Sequence, residues 1–204
     1  MVAYAEKRGV TPLEYLERER TADYKSEYDN GVIIPMPGAS REHNSITFDT
    51  TAILGPQLQG SPCQGFAQDM RVRVPLCDKY YYPDIVVVCG EPQFEDATFD
   101  VLLNPKLVIE VLSQSTERKD REEKFDCYET LESLTDYVLI SQTEPRIEHF
   151  SRLEDRVWRF VVARGLEAAL ALPAIGCSLR LADVYARVTF PPPSAQGSDG
   201  RESA

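Results

Sequence analysis

The chain has 204 residues, of which 43% are hydrophobic, and its formal net charge at pH 7 is −11. This length and apolar content are sufficient for one domain of ordinary size with a packed core. The negative charge argues against a broad nucleic-acid interface, because non-specific affinity for a polyanion comes from neutralised phosphates. Any contact with nucleic acid is therefore expected to be local.

The cysteines, the start and the end of the chain indicate its compartment and organisation. The five cysteines are odd in number and lack CxxC spacing, which predicts buried free thiols in a reducing compartment. No basic start followed by an apolar run opens the chain, and no stretch of about 18 apolar residues occurs, so we expect a cytoplasmic protein without a membrane span. The segment "PPPSAQGSDGRESA" lacks large apolar residues. We therefore predict one domain over residues 1–190 and a disordered tail over 191–204.

The first elements in the chain have clear local signals. In "TPLEYLERER", Thr11 as N-cap, Pro12 in the first helical position and Glu14 three residues after the cap predict a short helix with a capping box. Asn30-Gly31 between two strand-like runs predicts a β-hairpin. Apolar residues at helical spacing predict a longer helix from Ser40 to about Leu58.

The remaining elements are mostly strands. Residues rich in β-branched and aromatic side chains predict strands in "QGFAQDMRVRVP", "YYYPDIVVVCG" and "NPKLVIEVLSQST", with a polar loop before Asn104. A helix capped by Ser115 or Thr116 is expected in "STERKDREEKFDCYETL", followed by the strand "DYVLIS". "RIEHFSR" and "RVWRFVVA" predict an antiparallel pair, and "LRLADVYARV" a last short helix. The pattern is that of a mixed α/β domain built on a central sheet.

Two of these apolar strands each carry one acid, Asp84 at the start of "PDIVVV" and Glu110 near the end of "LVIEVL". A buried carboxylate needs a cation, hydrogen bonds or a raised pKa. Neighbouring strands lie about 4.8 Å apart, so these two acids could hold a hard divalent cation, with the carbonyl of Val111 as a third oxygen ligand. The alternative for Glu110 is a structural ion pair with Lys124 or an arginine.

The helix after the second strand offers a cation to the same place. Asp120, Lys124 and Tyr128 are spaced four residues apart and so lie on one side of a helix, from which Lys124 could point back at the strand ends. An ammonium there could orient a water or offset charge on phosphoryl oxygens, as a metal-assisted hydrolase requires. Taken alone, Lys124 is more simply one charge on a solvated helix face.

The segments "YPDIVVV", "NPKLVIEVLSQST" and "DREEKFDCYETL", together with "YDNGVIIPMPGAS" and "EHNSI", resemble the PD-(D/E)XK nuclease superfamily, and specifically its Uma-two family of restriction-endonuclease-like proteins. The resemblance covers roughly Thr11 to Leu181. It implies a restriction-endonuclease-like α/β core in which Asp84 and Glu110 bind Mg²⁺ or Mn²⁺ and a lysine assists hydrolysis of a nucleic-acid phosphodiester, with DNA as the expected substrate.

The match departs from the superfamily pattern at one position. The superfamily motif has lysine two residues after the second acid, where this chain has Leu112. The resemblance therefore implies that Lys124 of the following helix replaces it. Glu27 and Glu42 match early acidic positions of the family, and of the two Glu27 is favoured as a further catalytic residue.

Other polar residues have several interpretations. Local basic and aromatic residues are the candidate substrate contacts: Arg71, Arg73, Arg118, Lys119, Arg121 and Tyr128. His43, next to Glu42 at a helix start, either is a satisfied residue beside the cap or lines the cleft, and His149 is expected on the surface. Glu42, His43 and Asp120 are further possible site residues. The function predicted first is a metal-dependent endonuclease, and the alternative is a binding or regulatory module of the same fold without turnover. Exposed edge strands favour a homodimer.

Overall fold

The computed structural model describes residues 9–113, 117–154 and 157–190 of the chain. The helices are α1 (Pro12–Glu19), α2 (Arg41–Leu58), α3 (Glu117–Lys119), α4 (Phe125–Tyr128) and α5 (Leu181–Val184). A π-helical turn (Asp120–Lys124) joins α3 to α4, and we call residues 117–128 the site helix. The strands are β1 (Ser26–Asp29), β2 (Val32–Pro35), β3 (Cys63–Ala67), β4 (Arg71–Val74), β5 (Lys79–Tyr81), β6 (Ile85–Cys89), β7 (Val101–Leu102), β8 (Leu107–Leu112), β9 (Asp136–Ser141), β10 (Arg146–Arg152), β11 (Trp158–Arg164), β12 (Ala169–Leu172) and β13 (Cys177–Arg180).

The local signals at the start of the chain are confirmed. The α1 helix begins after Thr11, and both hydrogen bonds of the predicted capping box with Glu14 are formed. The β1 and β2 strands form the predicted hairpin, in which Asn30 and Gly31 have φ values of 43° and 85°. These left-handed conformations are those of a two-residue turn that matches the twist of the strands. The α2 helix begins after Ser40, as its sequence predicts.

The strands form two large sheets and one small hairpin sheet. The six-stranded sheet has the order β11-β10-β9-β8-β6-β3, and within it β8 and β9 are parallel while the other neighbours are antiparallel. The five-stranded sheet has the order β2-β1-β5-β4-β7, and β12 pairs with β13. The chain passes from the five-stranded to the six-stranded sheet between β5 and β6, at Tyr82, Pro83 and Asp84.

The two faces of the six-stranded sheet support two cores. One face carries Ile85, Ile109 and Val111 and packs against the α2 and α5 helices. The opposite face, with Val86 and Val108, packs against the site helix and residues of β4 and β5. A third, smaller core lies between α1 and the five-stranded sheet. Alternation along each strand therefore decides whether a side chain points toward the site helix.

The later elements differ in detail from the predictions. The short strand β7 interrupts the predicted polar loop, and the segment predicted as the last helix begins as strand β13, so that α5 starts only at Leu181. The predicted antiparallel pair β10 and β11 is confirmed. The predicted caps Ser115 and Thr116 and the predicted tail lie outside the described residues. Within the described ranges, no helix combines the length and apolar character needed to cross a membrane.

The expectation of free thiols is wrong for four of the five cysteines. Cys63 and Cys89, directly opposite each other on β3 and β6, form a disulfide, and Cys77 and Cys127 form another. Cys177 is a buried free thiol. None of these pairs is close in sequence, so spacing alone gave no sign of them.

The surface position predicted for His149 is also wrong. His149 is 2% exposed, and its Nε2 lies 2.6 Å from Oδ1 of Asp136. His149 lies on the same face of the six-stranded sheet as Ile147 and is paired with Val138, and both of these belong to the core on that face, so the side chain of His149 is covered.

Candidate active site

Asp84 lies where the chain crosses between the two large sheets. Ile85 pairs with Ile109 in the antiparallel β6–β8 ladder, so extending this register by one residue places Asp84 opposite Glu110. Asp84 precedes Val86 by two positions and thus shares its face, which is also the face of Glu110. The amide of Val111 donates a hydrogen bond of 2.7 Å to Oδ2 of Asp84. The two acids therefore meet at the adjoining ends of their strands.

Lys124 reaches this point from the site helix. Its Nζ donates a hydrogen bond of 3.1 Å to Oε1 of Glu110, and both residues are almost fully buried, at 6% and 4% exposure. The π-helical turn that ends at Lys124 changes the regular helical phase, and the hydroxyl of Tyr137 donates to the carbonyl oxygen of Asp120 in that turn. Single π turns of this kind occur frequently at functional sites.

Two more carboxylates surround the Lys124 ammonium. Oε1 of Glu27 lies 3.1 Å from Nζ of Lys124, and Oδ1 of Asp120 lies 3.2 Å from it. Lys119 adds a second ammonium, 2.7 Å from Oε2 of Glu27. We call Glu27, Glu110, Asp120, Lys119 and Lys124 the ion cluster. Its three carboxylates outnumber its two ammonium groups, and Asp84 at its edge adds a fourth.

This excess of negative charge affects Glu110 most strongly. Burial is the largest cause that raises the pKa of Glu110 well above its usual value. The carboxylates of Asp120, Asp84 and Glu27 raise that pKa further, while the Lys124 ammonium lowers it. A cation added beside Glu110 would oppose these effects.

The pKa values of Lys124 and Glu27 are shifted in the directions that keep these two neighbours of Glu110 charged. Burial disfavours the Lys124 ammonium, but the carboxylates of Glu110 and Glu27 outweigh it and raise the pKa of Lys124 well above its usual value. Burial likewise disfavours the Glu27 carboxylate, but Lys124 and Lys119 lower the pKa of Glu27. The base of the site thus holds a charged lysine beside the ionised carboxylate of Glu27.

His43 approaches Asp84 from the other side of the sheet. Its Nε2 lies 3.2 Å from Oδ2 of Asp84, and the two side chains are 14% and 17% exposed. His43 therefore contacts Asp84, and its amide also donates to the Ser40 cap. Glu42, which the sequence offered beside Glu27 as an early acid of the site, lies half-buried in the same first turn of α2.

The donor set suits a hard divalent cation. Within residues 9–113, 117–154 and 157–190, no three His, Cys, Asp or Glu side chains stand together at metal-ligand spacing. A Mg²⁺ site does not need three, because Mg²⁺ keeps several waters and usually takes one or two carboxylates. Asp84 and Glu110 supply two such carboxylates on one face, in surroundings with an excess of negative charge. These residues fit Mg²⁺ or Mn²⁺. The hydrogen bond between Val111 and Asp84 uses the backbone amide of Val111, so the carbonyl oxygen of Val111 as a ligand stays a prediction.

The structure does not bring Arg71 and Arg73 to this site. Their neighbours Val72 and Val74 face the site helix, so both arginines point to the opposite side of the sheet. Arg71 is buried and forms an ion pair with Asp100, and Arg73 forms one of 2.7 Å with Asp78. Both guanidinium groups therefore pair with acids outside the ion cluster, and a contact with substrate stays a prediction.

The other predicted substrate contacts divide by exposure. Arg118 is exposed and Lys119 is 25% exposed on the site helix, close to the ion cluster. Arg121 forms ion pairs with Glu117 and Glu148. Tyr128 is 0% exposed and lies beneath the ion cluster, and its role as a substrate contact stays a prediction.

Tyr81 belongs to the site but was not predicted. The Nζ atoms of Lys124 and Lys119 lie 5.4 Å and 5.8 Å from the centre of its ring, within the range of cation–π contacts. Its ring also packs against Tyr128 at 5.2 Å. In the sequence, the position of Tyr81 two residues before Pro83 indicated only that it belongs to a predicted strand.

Comparison with known proteins identifies the family. The family model described as "Uma2: Putative restriction endonuclease" matches residues 12–182. The chain belongs to this family. Two relatives from Synechocystis sp. (strain ATCC 27184 / PCC 6803 / Kazusa) are both described as uncharacterized. "Uncharacterized protein sll1609" is 37% identical over 170 residues, which are 83% of this chain and 96% of the relative. "Uncharacterized protein slr1290" is 32% identical over 181 residues, 89% of this chain and 94% of the relative.

A solved structure has the same fold as this Uma2 chain. It is a crystal structure described as that of "a putative nuclease belonging to DUF820 from Anabaena variabilis ATCC 29413", with a TM-score of 0.71 at 19% identity, covering 87% of this chain and 98% of that chain. The Uma2 resemblance predicted from sequence is confirmed, as is the α/β fold class with a mixed central sheet flanked by helices.

Proposed function

We propose that this Uma2 chain is a metal-dependent endonuclease that hydrolyses phosphodiester bonds of nucleic acid, with Mg²⁺ or Mn²⁺ as cofactor and DNA as substrate. The observation that carries the proposal is the meeting of Asp84 and Glu110 at adjoining strand ends with the Lys124 ammonium 3.1 Å from Glu110. Two hard carboxylates and a buried ammonium on one face are the groups that metal-assisted phosphodiester hydrolysis requires.

The proposed mechanism assigns a separate task to each residue. A divalent ion held by Asp84 and Glu110 would supply an activated water and neutralise charge on the phosphoryl oxygens. Glu27 and Asp120 keep Lys124 charged and fix its position. Lys124 stabilises negative charge that develops on the phosphate, from surroundings where water is excluded and the electrostatic effect is strong.

Substrate contacts are proposed for the outer end of the site helix. Arg118 is exposed and Lys119 is partly exposed, so both can approach a phosphate beside the ion cluster. Such a small basic surface suits a chain with a net charge of −11, because it limits contact to the phosphates next to the cleavage site. We propose that the chain acts as one domain in the cytoplasm.

A homodimer is part of the proposal. Strand β11 is an edge of the six-stranded sheet, and its Phe160 is 52% exposed. Exposed apolar edge strands tend to pair with another chain. Sedimentation of the purified chain measures this directly, and a monomer at micromolar concentration would contradict it.

The alternative is a binding module that keeps the nuclease fold without turnover. The observation that favours it is that Lys124 already compensates the acids of the ion cluster, so the cluster is also a complete structural ion network. Under this alternative, neither a divalent ion nor the exposed pair of Asp84 and His43 has a function.

The decisive experiment combines ion binding with cleavage. Mn²⁺ binding to the wild-type chain and to Asp84→Asn is measured by isothermal titration, and supercoiled plasmid is incubated with each chain, with and without chelator. We expect saturable Mn²⁺ binding and chelator-sensitive nicking by the wild type, and loss of both in Asp84→Asn. Arg164→Gln, far from the site on β11, is the matched control. A wild-type chain that neither binds Mn²⁺ nor nicks plasmid would favour the binding module.

A further inference from the structure

We infer that His43 is a positioning residue of the proposed metal site, which fixes the Asp84 carboxylate so that one of its oxygens faces the cation. The inference rests on the proposed function and extends it to a residue on the far side of the sheet. It starts from the 3.2 Å approach between Nε2 of His43 and Oδ2 of Asp84.

The backbone of His43 is held firmly enough for this role. Its amide donates a hydrogen bond of 3.0 Å to Oγ of Ser40, the cap of α2. Its carbonyl accepts one of 2.9 Å from the hydroxyl of Thr47. Ile46, in the next position on the buried face, is 0% exposed and anchors this turn against the six-stranded sheet. The imidazole therefore approaches Asp84 from a fixed turn of helix.

The hydrogen-bond chemistry decides which oxygen of Asp84 is left for the cation. A carboxylate only accepts hydrogen bonds, so the 3.2 Å approach of Nε2 to Oδ2 favours the tautomer of His43 that carries its hydrogen on Nε2. The amide of Val111 donates to the same Oδ2, at 2.7 Å. The Val111 amide and the His43 imidazole, from two different elements, therefore both face Oδ2, and Oδ1 remains as the oxygen that can bind a cation opposite Glu110.

The second nitrogen of His43 points to a further contact. Nδ1 is buried, and within the described part of the chain it has no hydrogen-bond partner. With the hydrogen on Nε2, the neutral ring has a bare acceptor at Nδ1. An unsatisfied buried acceptor is costly in a structure unless a water or ligand supplies the donor.

The exposure of the pair separates this role from simple packing. The side chains of His43 and Asp84 are 14% and 17% exposed, whereas those of Lys124 and Glu110 are 7% and 5% exposed. The imidazole is thus more accessible to solvent, and so to an incoming ion, than Lys124 and Glu110 are. Hydrogen bonds from outside the ligand set that orient a ligand typically account for 10-fold to 100-fold in metal affinity.

The test uses Mn²⁺ alone as the probe. Its dissociation constant is measured by isothermal titration at pH 7.5 for the wild type, His43→Ala, His43→Gln and the control Arg41→Ala, which changes an exposed residue of the same helical turn. We expect His43→Ala to bind Mn²⁺ about 10-fold to 100-fold more weakly. His43→Gln retains an N–H donor near Nε2 and is expected to restore most of the affinity, which a role in packing alone would not predict. The control is expected to match the wild type.

Each outcome decides between the inference and the proposed function. Thermal unfolding without metal, within about 3 °C of the wild type in every variant, shows that the folds are comparable. If the midpoint of thermal unfolding falls by more than this for His43→Ala, His43→Gln is compared with His43→Asn instead. The asparagine side chain is shorter, so His43→Asn is expected to bind Mn²⁺ as weakly as His43→Ala. Wild-type Mn²⁺ affinity in these variants overturns the inference but leaves the proposed function intact. Absence of Mn²⁺ binding by the wild type overturns both.

Discussion

Replacing Lys124 with methionine tests whether its ammonium is the counter-charge of the ion cluster. Methionine is similar in length and removes the charge without leaving a large cavity. Three carboxylates would then lie in a buried site where Lys119 is the remaining ammonium, and the carboxylate that Lys119 pairs with is that of Glu27. Glu110 and Asp120 would lose a partner at 3.1 Å and 3.2 Å.

The expected loss of stability is large. Removal of one partner from a buried ion pair typically costs about 3–5 kcal/mol, because the other charge stays buried without compensation. In a chain of this size, 1 kcal/mol shifts the midpoint of thermal unfolding by about 2–4 °C. We therefore expect Lys124→Met to unfold about 6–20 °C below the wild type at pH 7.5.

The loss is expected to shrink as the pH falls. Without the ammonium, the pKa of Glu110 in the folded chain rises even further above its value in the unfolded chain. A carboxyl group with a raised folded pKa destabilises the fold at high pH, and this penalty disappears as the pH falls through the folded value toward the unfolded one. The midpoints of the variant and the wild type should therefore converge between pH 7.5 and about pH 5.

The assay is thermal and urea unfolding followed by far-ultraviolet circular dichroism, without metal, across this pH range. Lys25→Met is the matched control, because Lys25 is 43% exposed and pairs with the exposed Asp69. An exposed ion pair contributes about 0–1 kcal/mol, so the control should remain close to the wild type. Equal stability of Lys124→Met and wild type at pH 7.5 would refute the assignment of Lys124 as the counter-charge.

Three further changes test other parts of the structure. Glu110→Gln removes a carboxyl group whose pKa is raised by burial, so we expect the variant to be more stable than the wild type at pH 8. In a series of thermal unfolding measurements, this gain in stability should vanish as the pH falls toward 4.5. A gain that stays constant with pH would contradict this origin. Cys127→Ser opens a disulfide that spans 50 residues and should lower the free energy of unfolding, measured in urea, by about 4 kcal/mol. Identical urea unfolding curves for the oxidised and the reduced wild type would exclude the disulfide. Gly31→Ala forces a side chain into a φ of +85°, with Cβ 3.1 Å from the amide nitrogen of Gly9, and should cost about 1–3 kcal/mol in the same assay, whereas an unchanged midpoint would argue against the turn.

The parts of the fold that sequence predicts well are those fixed by local chemistry. The Thr11 capping box and the Asn30-Gly31 turn depend on residues within four positions of each other, so their signals are complete in the sequence. The position of Glu110 on one face of its strand also follows from alternation alone. The same alternation, applied to Arg71 and Arg73, correctly placed them on one face. It did not reveal which face, because that depends on the packing of a second sheet.

The parts that sequence missed depend on contacts between distant segments. The Cys77–Cys127 disulfide joins the turn after β4 to the site helix, and nothing near either cysteine signals the other. Tyr81 becomes a wall of the site only because the site helix folds over β5. The π-helical turn before Lys124 was also invisible, since its residues equally suit a regular helix, and the difference arises from packing against β9.

The site has two levels that differ in what they contribute. At the base, Lys124 contacts three acids and has a raised pKa, so its charged form is favoured. At the mouth, Asp84 and His43 are partly exposed, and one oxygen of Asp84 is already held by Val111. The excess of carboxylates over ammonium groups makes the metal-free site less stable than a neutral one, because Glu110 is buried among like charges. A divalent ion at the mouth would remove that cost, so the same imbalance that weakens the fold would supply affinity for the ion.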